Sequence, residues 1–220
     1  MRSPLFTDSL FCLLYYHVRA EFSFGVPPCS GGFKVISCEI IAKKRHAEVN
    51  PLELGLELVP AERKQIISRL MQFYLYDFTR YLDLDVNRDG EYPAYPGLEA
   101  YWNSGHNKYA YLITCDNHPA GFALVDRLLR SSEGQFYMTE FFVMPKYRRS
   151  GVGTWAAHLL FEMFPGDWKV SQIRANSPAR SFWHRVIGEY TNGAFREKFN
   201  SRQGNPSQYF STLNVGRINK

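Results

Sequence analysis

No stretch of the 220 residues approaches the roughly 18 uninterrupted apolar positions that a bilayer crossing needs, and the longest attempt, Leu10 to Tyr16, stops far short. No membrane association is expected. Cysteine is scarce: Cys12, Cys29, Cys38 and Cys115 form no CxxC pair and no Cys/His metal spacing, so neither a disulfide scaffold nor a metal site is expected. Reduced thiols and a cytoplasmic protein follow. There is no internal repeat and no low-complexity tract. Acid is sparse beyond Val143, where 4 Asp/Glu face 12 Lys/Arg, whereas the first 143 residues carry 17 against 14. The C-terminal part is thus +8 and the remainder −3, a polarity suited to an anionic partner, either nucleic acid or a phosphorylated small molecule.

What is abundant is apolar side chain, 45% hydrophobic and 16% aromatic, enough for a full core in one domain with an appendage, or in two small ones at most. Residues 1–45 form the appendage. They hold Pro27, Pro28, Gly31 and Gly32 and sustain no period. Arg2 before an apolar patch and Val18-Arg19-Ala20 resemble a secretory leader only loosely, since Asp8 and His17 interrupt its flanks. A disordered tail and a start site assigned too far upstream are both open. The folded domain spans 46–220.

Within it, Leu54 to Val59 predicts a strand, and Pro60 opens a helix from Ala61 to Tyr81 whose apolar positions, Ile66, Ile67, Leu70, Met71, Tyr74 and Phe78, recur at three and four. A turn-rich stretch, Asp83 to Pro96, and a short helix, Leu98 to Asn103, follow. Tyr109–Cys115, Ala120–Leu129 and Gln135–Val143 predict an antiparallel meander. Then come a helix from Gly153 to Phe164, a strand from Trp168 to Ala175, a helix from Asn176 to Gly188, and two closing strands within Tyr190 to Thr212.

The chemistry concentrates at Val143-Met144-Pro145-Lys146-Tyr147-Arg148-Arg149-Ser150-Gly151-Val152-Gly153, a strand end and a basic, glycine-spaced turn that opens a helix. The unpaired N–H groups and dipole of a helix start favour an anion, and Arg148 and Arg149 add charge. No Gly-Lys-Ser/Thr follows, which excludes a P-loop, and a meander in place of a βαβ unit disfavours a dinucleotide fold.

This segment resembles the GNAT superfamily of acyl-CoA-dependent N-acyltransferases, whose pattern V-x-P-x-x-(R/Q)-x-x-G-x-(G/A) is matched by Val143, Pro145, Arg148, Gly151 and Gly153. A second block, N-x-x-A-x-x-(F/L)-(Y/W), is matched by Asn176, Ala179, Phe182 and Trp183. The resemblance implies an α/β protein of the α+β type, with a mixed central sheet of about six to seven strands and flanking helices. It further implies acetyl-CoA as acyl donor, with its pantetheine arm beside Phe142, Val143 and Met144. The pyrophosphate would rest on Arg148, Arg149, Ser150, Gly151, Val152, Gly153 and Thr154. Asn176, Arg180, Phe182 and Trp183 would line the other side of the arm.

Glu140 interrupts an otherwise apolar, aromatic strand, and a carboxylate so placed is costly unless used. It is expected either as general base toward the acceptor amine or as a structural hydrogen-bonding group. At the position of the family's usual general-acid tyrosine stands Trp183, whose indole donates a hydrogen bond but does not give up its proton near neutral pH. Tyr190, or water, is the alternative acid. His158 reads as structural. Asp85-Val86-Asn87-Arg88-Asp89-Gly90 matches half an EF-hand loop, but Pro96 stands where the bidentate glutamate belongs. The acidic Asp83, Asp85, Asp89 and Glu91 either attract a cationic acceptor or form an ordinary solvated loop.

The resulting expectation is an N-acetyltransferase that moves acetyl from acetyl-CoA to a small-molecule or peptide primary amine by direct attack in a ternary complex. A catalytically degenerate acyl-CoA sensor or scaffold is the alternative. Nucleic-acid binding lacks the stacking aromatics and helix motifs it would need.

Overall fold

Leu54–Leu58 forms the first strand, β1, in a computed structural model that describes residues 52–103, 107–128 and 134–213. The extension 1–45 lies outside those residues. Pro60 opens a 3-10 turn, Ala61–Arg63, closed by Arg63 N–H to Pro60 O at 3.0 Å, and the helix proper, α1, spans Gln65–Phe78. The single helix expected from Ala61 to Tyr81 is therefore shorter at both ends. Its first turn is wound tighter, and at its far end the Thr79 hydroxyl donates to the Tyr76 carbonyl at 2.7 Å.

A short helix, α2, covers Ala100–Asn103. The meander is β2 Lys108–Cys115, β3 His118–Arg127 and β4 Phe136–Val143, followed by α3 Val152–Met163, β5 Asp167–Ser171, α4 Ser177–Thr191, β6 Phe195–Phe199 and β7 Pro206–Ser211. All seven strands join one sheet in the order β1-β2-β3-β4-β5-β7-β6, antiparallel throughout except for the parallel β4–β5 pair. The α/β mixed sheet with flanking helices is thus as expected. The ends of β5 and α4 differ. β5 stops at Ser171 because the chain turns, with Asn176 N–H reaching Ile173 O at 2.9 Å. α4 runs past Gly188 to Thr191, because its terminator is left-handed Asn192 followed by Gly193, whose N–H returns to Gly188 O.

Two apolar layers sandwich the sheet. On one face α1, α2 and the intervening loop cover Ala110, Leu112, Phe122, Leu124, Phe142 and Ile173. On the other, α3 and α4 cover Tyr111, Ala123, Val125, Met138, Trp168 and Val170. No helix among the described residues is long and apolar enough to cross a membrane.

Candidate active site

β4 carries the feature that organises the site. Leu124 pairs with Glu140 and Val125 with Met138, so Thr139 is an extra residue, a β-bulge. A strand alternates with period two, and one inserted residue exchanges its faces. Phe136 and Met138 therefore point to the α3/α4 layer, whereas Glu140 and Phe142 point to the α1 layer. At the same point β4 leaves its parallel neighbour. Pairing with β5 covers only Phe136–Met138 against Trp168–Val170, while β4 runs on to Val143. The two central strands are parted at Thr139–Val143, a stretch that includes Phe142 and Val143 and ends beside Met144, the three residues expected to flank an arm.

Glu140 sits at the apex of that parting, 3% exposed. Tyr74 of α1 donates its hydroxyl to Oε2, and Tyr95 of the α1–α2 loop donates to Oε1 at 2.6 Å. Burial raises the carboxyl from its ordinary 4.5 to about 7, the two phenol hydrogen bonds oppose the rise, and Asp126 adds to it. Burial, and then the Glu140 charge, push both phenols well above 10, so they remain protonated donors. The loop that delivers Tyr95 is fastened to α1 by Gln72, which accepts from Tyr92 N–H at 2.8 Å. Sequence reasoning missed both tyrosines as partners of Glu140. In the sequence Tyr74 reads as one more apolar position of α1. The available signal was a hydroxyl on a sheet-facing helical stripe opposite the one acidic residue of β4.

At the far lip, the turn into α3 is built as the sequence suggests. Gly151 is the N-cap at φ +90°, in the left-handed region, and Arg149 shares that region at φ +65°. The first helical bond is Trp155 N–H to Gly151 O at 2.9 Å, so the amides of Val152, Gly153 and Thr154 have no partner among the described residues. They form the positive end of a 12-residue helix. Gly153 is needed for contact: a Cβ there would lie 3.3 Å from the Phe182 ring. Phe182 in turn stacks on Phe141 at 5.9 Å, and Trp183, 5% exposed, meets Phe141 edge-on at 5.0 Å. These rings wall the α4 side of the parted strands.

Three arginines are distributed differently from the sequence expectation. Arg148 turns away from the turn's amides, donating to Val143 O at 2.7 Å and pairing with Asp77 of α1 at 2.7 Å, and its own N–H is bonded to Pro145 O. Arg180 lies on the β6 flank of α4, held by Glu197 and over the Phe199 ring. The arginine of α4 beside the α3 turn is Arg185, 3.4 Å from Thr154 Oγ1. Five residues along a helix turn through about 140°, which separates the two flanks. Arg149 is exposed and pairs with no described group.

Asn176 is the N-cap of α4, its side-chain oxygen accepting from Ala179 N–H at 3.1 Å, which gives the family asparagine a local structural reason. Tyr190 packs on His158 and Phe161 between α3 and α4, two turns beyond Trp183, so it does not serve the parted strands. His158 bonds Val186 O. Asn87 Oδ1 accepts from Asp89 and Glu91 N–H, closing the EF-hand-like loop on itself, and no group of three His, Cys, Asp or Glu converges among the described residues. Asp83, Asp85, Asp89 and Glu91 are exposed. Two surface cavities of about 430 and 460 Å³ flank β7, and neither is lined by the parted segment of β4.

Solved structures share this fold at low identity. An acetyltransferase from Thermus thermophilus is 13% identical, with 72% of this chain aligned to 96% of that one at TM-score 0.52. An aminoglycoside acetyltransferase in complex with coenzyme A is 13% identical over 76% and 100% at 0.52, and a nucleotide-linked sugar GNAT is 15% identical over 74% and 89% at 0.52. No curated protein sequence matches. The family model for GNAT acetyltransferases matches residues 71–188, from α1 through the bulged strand and the glycine turn into α4. On that match the chain belongs to the GNAT acetyltransferase family.

Proposed function

We propose that the protein is an N-acetyltransferase that uses acetyl-CoA and a primary amine in one ternary complex. The observation that carries this reading is the parting of β4 from β5 at Thr139, with a buried carboxylate at its apex. The residues present fit the donor. Unpaired α3 amides, with Arg149 and Arg185 alongside, suit a pyrophosphate, and unpaired strand edges suit an extended arm bearing amides. Phe142, Val143 and Met144 would flank that arm, with Phe182 and Trp183 opposite.

Acetyl-CoA supplies the acetyl group as a thioester. Glu140 takes a proton from the acceptor ammonium, which frees the nitrogen lone pair for attack. Each of its oxygens accepts one phenol and keeps a second acceptor direction. With its carboxyl raised to about 7, the base exchanges its proton close to neutral pH. Attack forms the C–N bond and breaks the C–S bond. Trp183 can donate a hydrogen bond toward the leaving sulfur but cannot surrender its proton, so the thiolate, whose thiol has a pKa of about 8.5, takes a proton from water while the acylated nitrogen gives its remaining extra proton to water. The exposed acidic loop that holds Tyr95 would draw a cationic acceptor toward Glu140.

Acetyl-CoA consumption against polyamines, aminoglycosides, amino acids and peptide N-termini tests the reading. Turnover on any of these with acetylated product supports it. CoA binding with no turnover on the panel would instead favour a sensor, which is the role Trp183 at the acid position would suit.

Tyr95→Phe is expected to move the acidic limb of the pH–rate profile upward. The phenol donates to the charged form of Glu140 and holds its pKa down, so removing it raises the pH at which the base is ready. A limb that stays in place or moves down would exclude Tyr95 as a partner of the working base.

A further inference from the structure

One residue past β5 sits a second buried polar group that the reaction above does not use, and β5 itself is bounded differently on its two sides. Its pairing with β4 ends at Val170, whereas on its other side it continues along β7, with Gln172 N–H reaching Pro206 O at 3.1 Å. Gln172 is 4% exposed and lies two residues beyond Val170, on the same face as the α4 layer. Its Nε2 donates to Gln208 Oε1 at 2.8 Å, and its Oε1 is buried with no hydrogen-bond partner.

A glutamine amide can be turned over, so its orientation has to be argued, and here a chain of bonds dictates it. Arg180 holds Glu197 with two hydrogen bonds, and that pairing keeps the Glu197 carboxyl below its ordinary range, so it is an acceptor only. Gln208 must then present its NH₂ to Glu197, at 2.7 Å, which leaves its oxygen toward Gln172. Gln172 has to meet that oxygen with its own NH₂. Its carbonyl is thereby the end of the amide not taken by Gln208, on a residue that lies beyond the point where β4 stops pairing with β5. Turning the amide over would set two carbonyls against each other.

A buried acceptor without a donor is rare in native proteins and points to a donor that arrives from outside. We infer that Gln172 Oε1 accepts a hydrogen bond from an amide N–H of the pantetheine arm between β4 and β5. The inference rests on the reading of the parted strands as the CoA channel. It also gives Arg180 a role at a distance: its pairing with Glu197 fixes the polarity of the chain that aims Gln172.

Calorimetric titration of the full-length protein with CoA and with adenosine 3′,5′-bisphosphate, which lacks the arm, tests this. Gln172→Met keeps the volume and removes the whole amide, the carbonyl together with the Nε2 donor to Gln208, and the bisphosphate titration reports any damage from that second loss. The expected result is CoA affinity about tenfold lower, the scale of one neutral hydrogen bond, with bisphosphate affinity unchanged. Equal loss for both ligands, or no loss for either, would overturn the inference and leave the CoA channel standing. A wild-type protein that binds neither ligand would overturn both. Should Gln172→Met fail to fold, the side-chain amide resonances of Gln172 in the wild type supply the second readout. They are expected to shift with CoA and not with the bisphosphate, and a shift with neither would refute the contact.

Discussion

Glu140→Gln is expected to lower turnover on an accepted amine by about 10²–10⁴-fold, the usual worth of a general base, with CoA affinity changed little. Gln preserves the shape and can still accept from one phenol, so the loss reports proton transfer. The pH–rate profile separates this from damage to the fold. In the wild type the base is ready only when ionised, so the rate climbs as pH rises through about 7, and in the variant that limb disappears. Stability moves the opposite way. The folded carboxyl binds its proton more tightly than the unfolded one, so between pH 4.5 and 7 the unfolded state holds fewer protons, and stability falls as pH rises. The fall amounts to about 3 kcal/mol by about pH 8. Glu140→Gln removes that dependence, and melting temperatures at about pH 5 and about pH 8 should converge. A variant with near-full turnover and an unaltered profile would leave Glu140 as a purely structural partner of Tyr74 and Tyr95.

Gly151→Asp is expected to weaken CoA binding by at least about 100-fold, through strain and charge together. The residue sits at φ +90°, where any side chain is strained, and it caps a helix start whose first three amides have no partner among the described residues. A carboxylate there would occupy the positive end of α3 and repel pyrophosphate. Gly151→Ala isolates the backbone component, and its loss should be several-fold only. Calorimetry on variants with native circular dichroism measures both, and unchanged CoA affinity in Gly151→Asp would remove the α3 turn from the binding site.

The elements and their order were legible because each is announced locally. Pro60, the three-and-four stripe of α1, the short meander links and the glycine turn before α3 all act within a few residues of themselves. Glu140 was legible as an anomaly, a lone acid in an aromatic strand. Its partners were not, because they reach it from 66 and 45 residues away, Tyr74 reading as one more apolar position of a helix and Tyr95 lying in a turn-rich stretch. The exchange of Arg180 for Arg185 beside the α3 turn has a different cause. Which flank of α4 faces α3 depends on how Phe182 lodges against Gly153, a contact between elements. Gly188 misled because glycine stops helices often, yet the Asn192-Gly193 pair a turn further on offers the better left-handed terminus.

The bulge at Thr139 works as a phase shift written into the chain. Before it Phe136 and Met138, two apart, face the α3/α4 layer, and after it the same spacing carries Glu140 and Phe142 to the α1 layer, so the identity of Glu140 and its address are specified separately. Point substitution can alter what stands at the apex, but only insertion or deletion can move the apex itself. Excising Thr139 would restore the strand's rhythm and zip β4 onto β5. Glu140 would stay paired with Leu124 and turned to its two tyrosines, so the cut would close the opening beside the carboxylate without moving the carboxylate. The opening beside Glu140 therefore hangs on the length of this strand as much as on its composition.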